Sequence, residues 1–325
     1  NYSRYNNLIQ IDEDSYVLSY SGNSNDGYLQ TFTISKDGNT ITQVLEKEWG
    51  LKQDVYFPSF IRMSEDLYLM AYRGYSSGTK HDGTSVTQWG QWLTVFQIKS
   101  DGSTITELGN YLHDHYDNSS PYHNLIKIDD DIYALAYRNY NYGPQTGNMW
   151  GGWVKTFKVN GATISQVNEL NIFGNSEDEF YESSWQHLAG DKYALAHNGD
   201  GSDGFITTLT ISADGQTITK IAQVEHDTDY NRMNSLQKVD TDTYLLAYEG
   251  TSGDGFMKTF TIPTNGSSIT EVKKIEHDTD NGQWNSMIPI DQNKFMLAYR
   301  SGNSDGDVKF FTVPDDGSSI TENVI

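Results

Sequence analysis

The sequence predicts an all-β protein, a six-bladed β-propeller with four antiparallel strands per blade. Three observations carry that expectation: a sixfold internal repeat, its spacing, and its turn chemistry. Asn234-Ser235-Leu236, Tyr244-Leu245-Leu246-Ala247-Tyr248, Asp254-Gly255-Phe256, Thr259-Phe260-Thr261-Ile262 and Ser268-Ile269-Thr270 recur in order along the chain. An anchor aromatic falls at Tyr16, Tyr68, Tyr133, Tyr193, Tyr244 and Phe295, at spacings of 52, 65, 60, 51 and 51. A unit of about fifty residues with four strand-like runs marks a propeller blade rather than a helical solenoid or a two-sheet sandwich.

Within the fifth repeat, strand A spans Ser235 to Val239 and strand B Tyr244 to Tyr248. Strand B is apolar on both faces, as a sheet requires when it packs against a neighbour on each side. Strand C, Phe256 to Ile262, alternates, and strand D, Ile269 to Glu276, carries the charges that discourage edge pairing. Between C and D stand Asp37-Gly38, Asp101-Gly102, Asp214-Gly215, Asn265-Gly266 and Asp316-Gly317, which are hairpin signals because glycine and Asx residues accept positive φ. Asp26-Gly27, Asp203-Gly204, Asp254-Gly255 and Asp305-Gly306 mark the B-to-C connections. Plain turns are the better reading of these aspartates than calcium loops.

The first residues precede a strand A and the last end a strand D, so six units fill the chain. This predicts one propeller domain over 1–325, with blades at about 1–50, 51–112, 113–174, 175–226, 227–277 and 278–325, the first joined to the last. A slice of a longer blade array is the alternative. No linker and no apolar run of about twenty residues interrupts the repeat, which argues against membrane insertion. Cysteine is absent, excluding disulfides, thiolate metal sites and cysteine nucleophiles. The formal charge of −22, from 44 acidic and 22 basic residues, repels nucleic acid at long range. Acidity with abundant Asn, Ser, Thr and Tyr suits a secreted protein.

Departures from the repeat point to function, because loops on a rigid scaffold carry it. The B-to-C connection is seven steps in blade five, Glu249 to Phe256, but nineteen in blade two, Arg73 to Trp92, and fifteen in blade three, Arg138 to Trp153. Both insertions end alike, in Trp89-Gly90-Gln91-Trp92 and Trp150-Gly151-Gly152-Trp153. Trp92 and Trp153 align with Phe256 as packing residues. Trp89 and Trp150 have no counterpart elsewhere and either stack on a sugar ring or pin their own loops.

Histidine is skewed the same way. His81, His113, His115, His123, His187 and His197 fall in blades two to four, whereas His226 and His277 sit in repeated Glu-His-Asp-Thr-Asp phrases and read as structural. One column, Tyr5, Phe57, Tyr122, Glu182, Met233 and Trp284, opens strand A of each blade, and Ser21, Arg73, Arg138, Asn198, Glu249 and Arg300 face it from the end of strand B. Tyr122 beside Arg138, with His123 and His197, forms a candidate acid/base constellation. The bland alternative, arginines that neutralise loop aspartates, competes at each position. His113 and His115, on one side of an extended chain, could hold zinc or a similar ion, and Glu177, Asp178, Glu179 and Glu182 could contain a hydrolase pair. No cofactor is required by any motif, with calcium or zinc the ions to consider.

The C-to-D phrases Ser212-Ala213-Asp214-Gly215-Gln216-Thr217 and Ser100-Asp101-Gly102-Ser103-Thr104 resemble degenerate Asp-boxes of sialidase-like propellers, without that family's spacing and closing tryptophan. The resemblance implies a structural role for these turns and no sialidase chemistry. Tyr122, His123 and Arg138 are similar in residue type to the sites of propeller polysaccharide lyases. The leading expectation is therefore glycan binding at the loop-rich end of blades two to four, through Trp89, Trp150, Arg73, Arg138, Tyr122 and His123. The alternatives are a lyase on a uronic-acid polymer, with Tyr122, His123, Arg138 and His197 as its catalytic residues, and an adhesive scaffold that binds another protein.

Overall fold

The computed structural model describes residues 4–49, 55–115, 122–143, 147–172, 180–302 and 305–323; the side chains of Arg4, His115, 140–143 and 147–150 lie outside the description. The strands form six four-stranded sheets, each in the order A-B-C-D, and the protein is an all-β six-bladed propeller. Blade one is Arg4–Gln10, Ser15–Ser21, Gly27–Ile34 and Ile41–Trp49. Blade two is Tyr56–Arg62, Leu67–Thr79, Ser85–Ile98 and Ile105–His115, and blade three His123–Lys127, Ile132–Gly143, Gly147–Asn160 and Thr163–Asn171. Blade four is Ser184–Ala189, Lys192–Asn198, Gly204–Ile211 and Ile218–Asp227; blade five Arg232–Lys238, Thr243–Glu249, Gly255–Thr261 and Thr270–Asp278; blade six Gln283–Asp291, Lys294–Arg300, Gly306–Thr312 and Thr321–Asn323. Among the described residues no helix is long and apolar enough to cross a membrane.

Contacts group the chain into two compact units. The first holds Asn1–Asn139, Val154–Glu169 and Ala213–Gln216; the second holds Tyr140–Trp153, Leu170–Ser212 and Thr217–Ile325.

Inside each unit the two-sided hydrophobicity of strand B explains the packing. In the second unit Tyr244, Leu246 and Tyr248 cover Ala194, Ala196 and Ile206 of blade four. The opposite face, Leu245, Ala247 and Met257, is covered by Phe295, Leu297 and Tyr299 of blade six. In the first unit Tyr68, Met70 and Tyr72 of blade two pack with Val17 and Leu29 of blade one. Each blade thus has an incoming face, which carries the anchor aromatic, and an outgoing face of smaller residues.

Polar latches repeat beside these faces. A strand C threonine donates to the carbonyl of the next C-to-D turn glycine: Thr31 to Gly102 at 2.7 Å, Thr156 to Gly215 at 2.8 Å, Thr208 to Gly266 at 2.7 Å and Thr259 to Gly317 at 2.7 Å. A strand A serine accepts from the next strand A, as Leu125 N–H does to Ser59 at 3.0 Å and Leu236 N–H to Ser184 at 3.0 Å. Each such buried bond contributes about 1 kcal/mol net and fixes the angular register of its two blades.

The two Asp-Gly columns have different physical causes. The C-to-D glycines do take positive φ, from 57° at Gly161 to 72° at Gly38. In the B-to-C connections the positive φ falls earlier, on Ser24, Ser202 and Ser252, at the short 3-10 turns. The glycines after these turns are required for close approach: a Cβ on Gly255 would lie 2.3 Å from His277 Cε1, and one on Gly204 2.7 Å from His226 Cε1.

The blade two insertion is a strand extension rather than a loop. Strands B and C continue to Thr79 and from Ser85, so that Tyr75 pairs with Trp89. The hairpin lies back on its own outer strand, with Thr79 paired to Tyr111 and Asn110 Nδ2 donating to the Ser77 carbonyl at 3.0 Å. The blade three strands are lengthened likewise.

Gly255→Ala, which forces a methyl into the His277 ring, is expected to destabilise the protein by about 1–3 kcal/mol in urea unfolding. Gly306→Ala is the control: its Cβ would meet nothing within 4 Å, so its midpoint stays at the wild-type value.

Candidate functional site

Four described residues of the strand A column have unusual backbone. Tyr5, Phe57, Met233 and Trp284 have φ of 57°, 51°, 55° and 57°, the left-handed region that bulky side chains avoid. Each lies in a register shift against strand B, between Arg4 and Asn7, Tyr56 and Ser59, Arg232 and Ser235, and Gln283 and Ser286. These are β-bulges, which re-aim the side chain that they carry. A bulky residue there costs about 1–3 kcal/mol, and the cost recurs in four blades.

In the first unit this column assembles a tilted aromatic stack. Tyr5 and Phe57 have ring centroids 4.1 Å apart with their planes at 48°, and Phe57 and Tyr122 4.0 Å apart with their planes at 51°. Phe57 is buried between half-buried Tyr5 and Tyr122. Tyr56 flanks the stack, 6.2 Å from Tyr5, and accepts a hydrogen bond from Asn25 at 3.1 Å. The Arg73 guanidinium lies over the Tyr56 ring at 5.2 Å.

Beneath it, His123 Nε2 pairs with Gln91 Oε1 at 3.1 Å, and Gln91 Nε2 donates to Asn139 Oδ1 at 3.1 Å. Arg138, Asn139, Gln91 and His123 are all buried. Burial lowers the His123 pKa to about 3, and the nearby Arg73 charge acts in the same direction. The ring is neutral near pH 7 and supports the stack instead of exchanging protons.

In the second unit the corresponding residues make a charged cluster. Glu182 Oε2 accepts from the Met233 N–H at 3.2 Å, and Arg232 lies over Tyr181 at 4.6 Å and Tyr230 at 5.2 Å. Glu249 accepts from Gln283 Nε2 at 2.8 Å, and Gln283 Oε1 accepts from Arg300 at 3.0 Å. Burial raises the Glu249 pKa. Trp284 is exposed. His197 is fully buried, held by the Asn198 carbonyl at 3.0 Å and Thr207 Oγ1 at 2.8 Å, and burial lowers its pKa to about 4.

Of the residues predicted from sequence, Tyr122, Arg73, His123 and Arg138 thus belong to the first unit: Tyr122 packs on Phe57, Arg73 lies over Tyr56, and His123 and the Arg138 carbonyl both bond Gln91. Trp89 is half-buried on the hairpin, two residues before Gln91, with its ring 6.0 Å from Tyr75. The side chains of Trp150 and His115, and the whole of Glu177, Asp178 and Glu179, lie outside the described residues.

His113 occupies a packing column. Its ring meets Tyr137 at 5.0 Å and Phe157 at 5.8 Å, as His226 meets Tyr248 and Phe260, His277 meets Tyr299 and Phe311, and Trp49 meets Tyr72 and Phe96. The aspartates that follow accept from the same tyrosines: Tyr137 to Asp114 at 2.7 Å, Tyr248 to Asp227 at 2.6 Å and Tyr299 to Asp278 at 2.8 Å. Lys155, Lys258 and Lys309 donate to the three histidine carbonyls. His113-Asp114 stands at the same step of the repeat as the other two pairs, a signal present in the sequence. Among the described residues no cluster of three metal-ligating side chains forms.

No protein-family model matches the chain, and no curated protein is similar to it in sequence. Solved structures share its fold. A 6-phosphogluconolactonase candidate from Bacteroides fragilis superposes with a TM-score of 0.67 at 13% identity, covering 97% of this chain and 82% of its own. A protein of unknown function from Dyadobacter fermentans gives 0.58 at 12% identity over 94% and 93%. The α-L-arabinanase of Penicillium chrysogenum, complexed with arabinobiose, gives 0.55 at 10% identity over 95% and 93%.

Acid should weaken the fold through the buried imidazoles. His226 and His277 have pKa values lowered to about 3 and about 4, chiefly by burial, against about 6.5 in the unfolded chain. Below pH 6.5 the unfolded state binds the extra proton, so stability is constant above neutrality and falls as pH drops toward 4. The loss is up to about 1.4 kcal/mol per pH unit for each such ring. His226→Phe, an aromatic as Trp49 already is in blade one, is expected to flatten that slope by one histidine in urea unfolding at pH 7, 6 and 5.

Proposed function

We propose that this protein is a carbohydrate-binding propeller whose glycan site is the aromatic stack of Tyr5, Phe57 and Tyr122. The observation that carries the reading is the placement of Tyr5 and Phe57 on strained bulges at successive strand A starts, where glycine would relieve the strain, with Tyr122 packed on Phe57 in the next blade. Sugar rings present C–H faces that pack on such rings, and hydroxyl groups that need donors at the edge. Arg73, over Tyr56, supplies a donor fork at that edge, and His123, Gln91, Asn139 and Arg138 hold the layer beneath.

The fold neighbours support a sugar-related ligand: one is an arabinanase complexed with arabinobiose, and another is a lactonase candidate for a phosphorylated sugar acid. The acidic, cysteine-free composition supports a secreted setting. A charge of −22 favours a neutral or cationic glycan over a polyanionic one, since long-range repulsion slows the approach of the latter. A neutral glycan also removes any need for the uronate chemistry of a lyase, for which buried, weakly basic His123 and His197 are poor proton carriers.

Tyr5→Ala and Tyr122→Ala each remove one stacking ring from a half-buried position and should fold normally. Each is expected to weaken retention of a glycan bound by the wild-type protein about tenfold on an affinity gel, a loss of about 1.4 kcal/mol. Trp89→Ala, which alters the hairpin and none of the three rings, should leave retention within twofold. Equal retention by both tyrosine variants and the wild type, or no glycan held across a broad array, would remove the proposal.

A further inference from the structure

The C-to-D turns repeat one acceptor, and blade five departs from it. Asp37, Asp101, Asp214 and Asp316 each precede the turn glycine and accept from the backbone N–H two residues on: Asn39 at 3.1 Å, Ser103 at 2.9 Å, Gln216 at 3.0 Å and Ser318 at 3.0 Å. Asn265 holds the same place in blade five, its Oδ1 accepting from the Ser267 N–H at 3.0 Å. Hydrogen bonds from Ser35, Ser103 and Ser318 lower the pKa of Asp37, Asp101 and Asp316, so the turn favours a charged acceptor. A neutral amide there makes a weaker bond than a carboxylate, so turn stability does not select Asn265.

What the amide adds is chemistry. Asn265-Gly266-Ser267 is an Asn-x-Ser triplet, the acceptor sequence for an N-linked glycan. Blade three also has an asparagine at this step, Asn160, but Ala162 follows Gly161 and no hydroxyl completes the triplet. Two further triplets, opened by Asn1 and Asn118, lie outside the described residues. The blade five turn presents its triplet outward: Asn265 and Ser267 are exposed, and Gly266 between them is buried. The Gly266 N–H donates to the Pro263 carbonyl at 2.7 Å, and the Gly266 carbonyl accepts from Thr208 of blade four at 2.7 Å, which anchors the turn from below. Because the Ser267 N–H holds Oδ1, Nδ2 is the amide atom left for reaction, and it has no partner among the described residues.

We infer that Asn265 is an attachment point for an N-linked oligosaccharide. The donor is an oligosaccharide joined to a lipid diphosphate, and a transferase supplies the base. Asn265 Nδ2 gives one proton to that base and forms a bond to the anomeric carbon of the sugar. The bond from that carbon to the diphosphate oxygen breaks, and the lipid diphosphate leaves with the electron pair. The position suits a protein that binds a ligand elsewhere. In blade five, strand C starts at Gly255, level with Glu249 and Arg232, and its seven residues carry the chain about 20 Å to the turn. A bulky, solubilising sugar at Asn265 thus stands clear of the strand A start of its own blade. The inference rests on the secreted setting proposed above and not on the aromatic stack.

Peptide mapping of the full chain, secreted from a eukaryotic host behind a cleavable leader, tests this. The wild type is expected to carry a glycan at Asn265, whose enzymatic release leaves aspartate there. Asn265→Asp and Ser267→Ala should each empty the site, while Ser267→Thr, which keeps the hydroxyl, should leave it filled. Asn265→Asp installs the residue that four other blades carry at this step, so it should fold as the wild type does. Asp316→Asn, which completes the same triplet with Gly317 and Ser318, should gain a glycan in blade six; its failure to do so overturns the turn as the device that presents the amide. Secreted wild type with an unmodified Asn265 overturns the inference, and so does a glycan that persists at Asn265 in Ser267→Ala. The leader brings the chain to the transferase whatever its native location, so an empty Asn265 counts against the acceptor and not against the secreted setting.

Discussion

The structure depends on a two-sided constraint: a four-stranded sheet whose inner strands are apolar on both faces must be covered twice. Strand B meets that demand with Tyr244, Leu246 and Tyr248 on one side and Leu245 and Ala247 on the other. An isolated blade would leave one of these sets in water, so no blade is a stable unit by itself. Stacking turns the liability into the principal source of stability. The serine and threonine latches then choose one angular setting among the many that apolar contact would accept.

The same constraint explains why so much of the fold was legible in the sequence. Anchor spacing, the alternation in strand C and the C-to-D turns each follow from demands that recur six times, so chance matches average out. Legibility failed where one motif serves two purposes. Asp-Gly reads as a turn in both connections, yet Gly204 and Gly255 are glycine because histidine rings press on the backbone. Histidine serves two purposes likewise. His113 looks like a ligand when compared with other histidines, and like packing when compared with Trp49, which fills the same position.

The candidate site was legible in part. Tyr122 and Arg73 emerge from aligning the repeats, and so does the column that holds Tyr5 and Phe57. What alignment does not convey is that these rings come within about 4 Å of each other, because that depends on left-handed bulges at Tyr5 and Phe57. Propensity would place glycine or asparagine there, and nothing local announces the strain. Trp89 shows the reverse error. Its insertion reads as a loop, but alternating Ser85, Thr87 and Trp89 against Ser77 and Tyr75 make it a strand pair, with Trp89 opposite Tyr75.

Strain and burial together distinguish two kinds of unusual residue. Buried unusual residues, among them His197, His226 and Lys258, are explained by partners within the repeat: hydroxyls, carbonyls, carboxylates and ring faces. The bulge residues are different, because the bend would form more easily with a smaller side chain. Glu182 and Met233 hold the column in the second unit, linked by the Met233 N–H, while Tyr5, Phe57 and Tyr122 hold it in the first. The column thus carries a hydrogen-bonded acid at Glu182 and tilted aromatic rings in the first unit, while the left-handed φ belongs to Tyr5, Phe57, Met233 and Trp284. The repeat fixes the place of the column and leaves the side chain displayed there to differ from blade to blade.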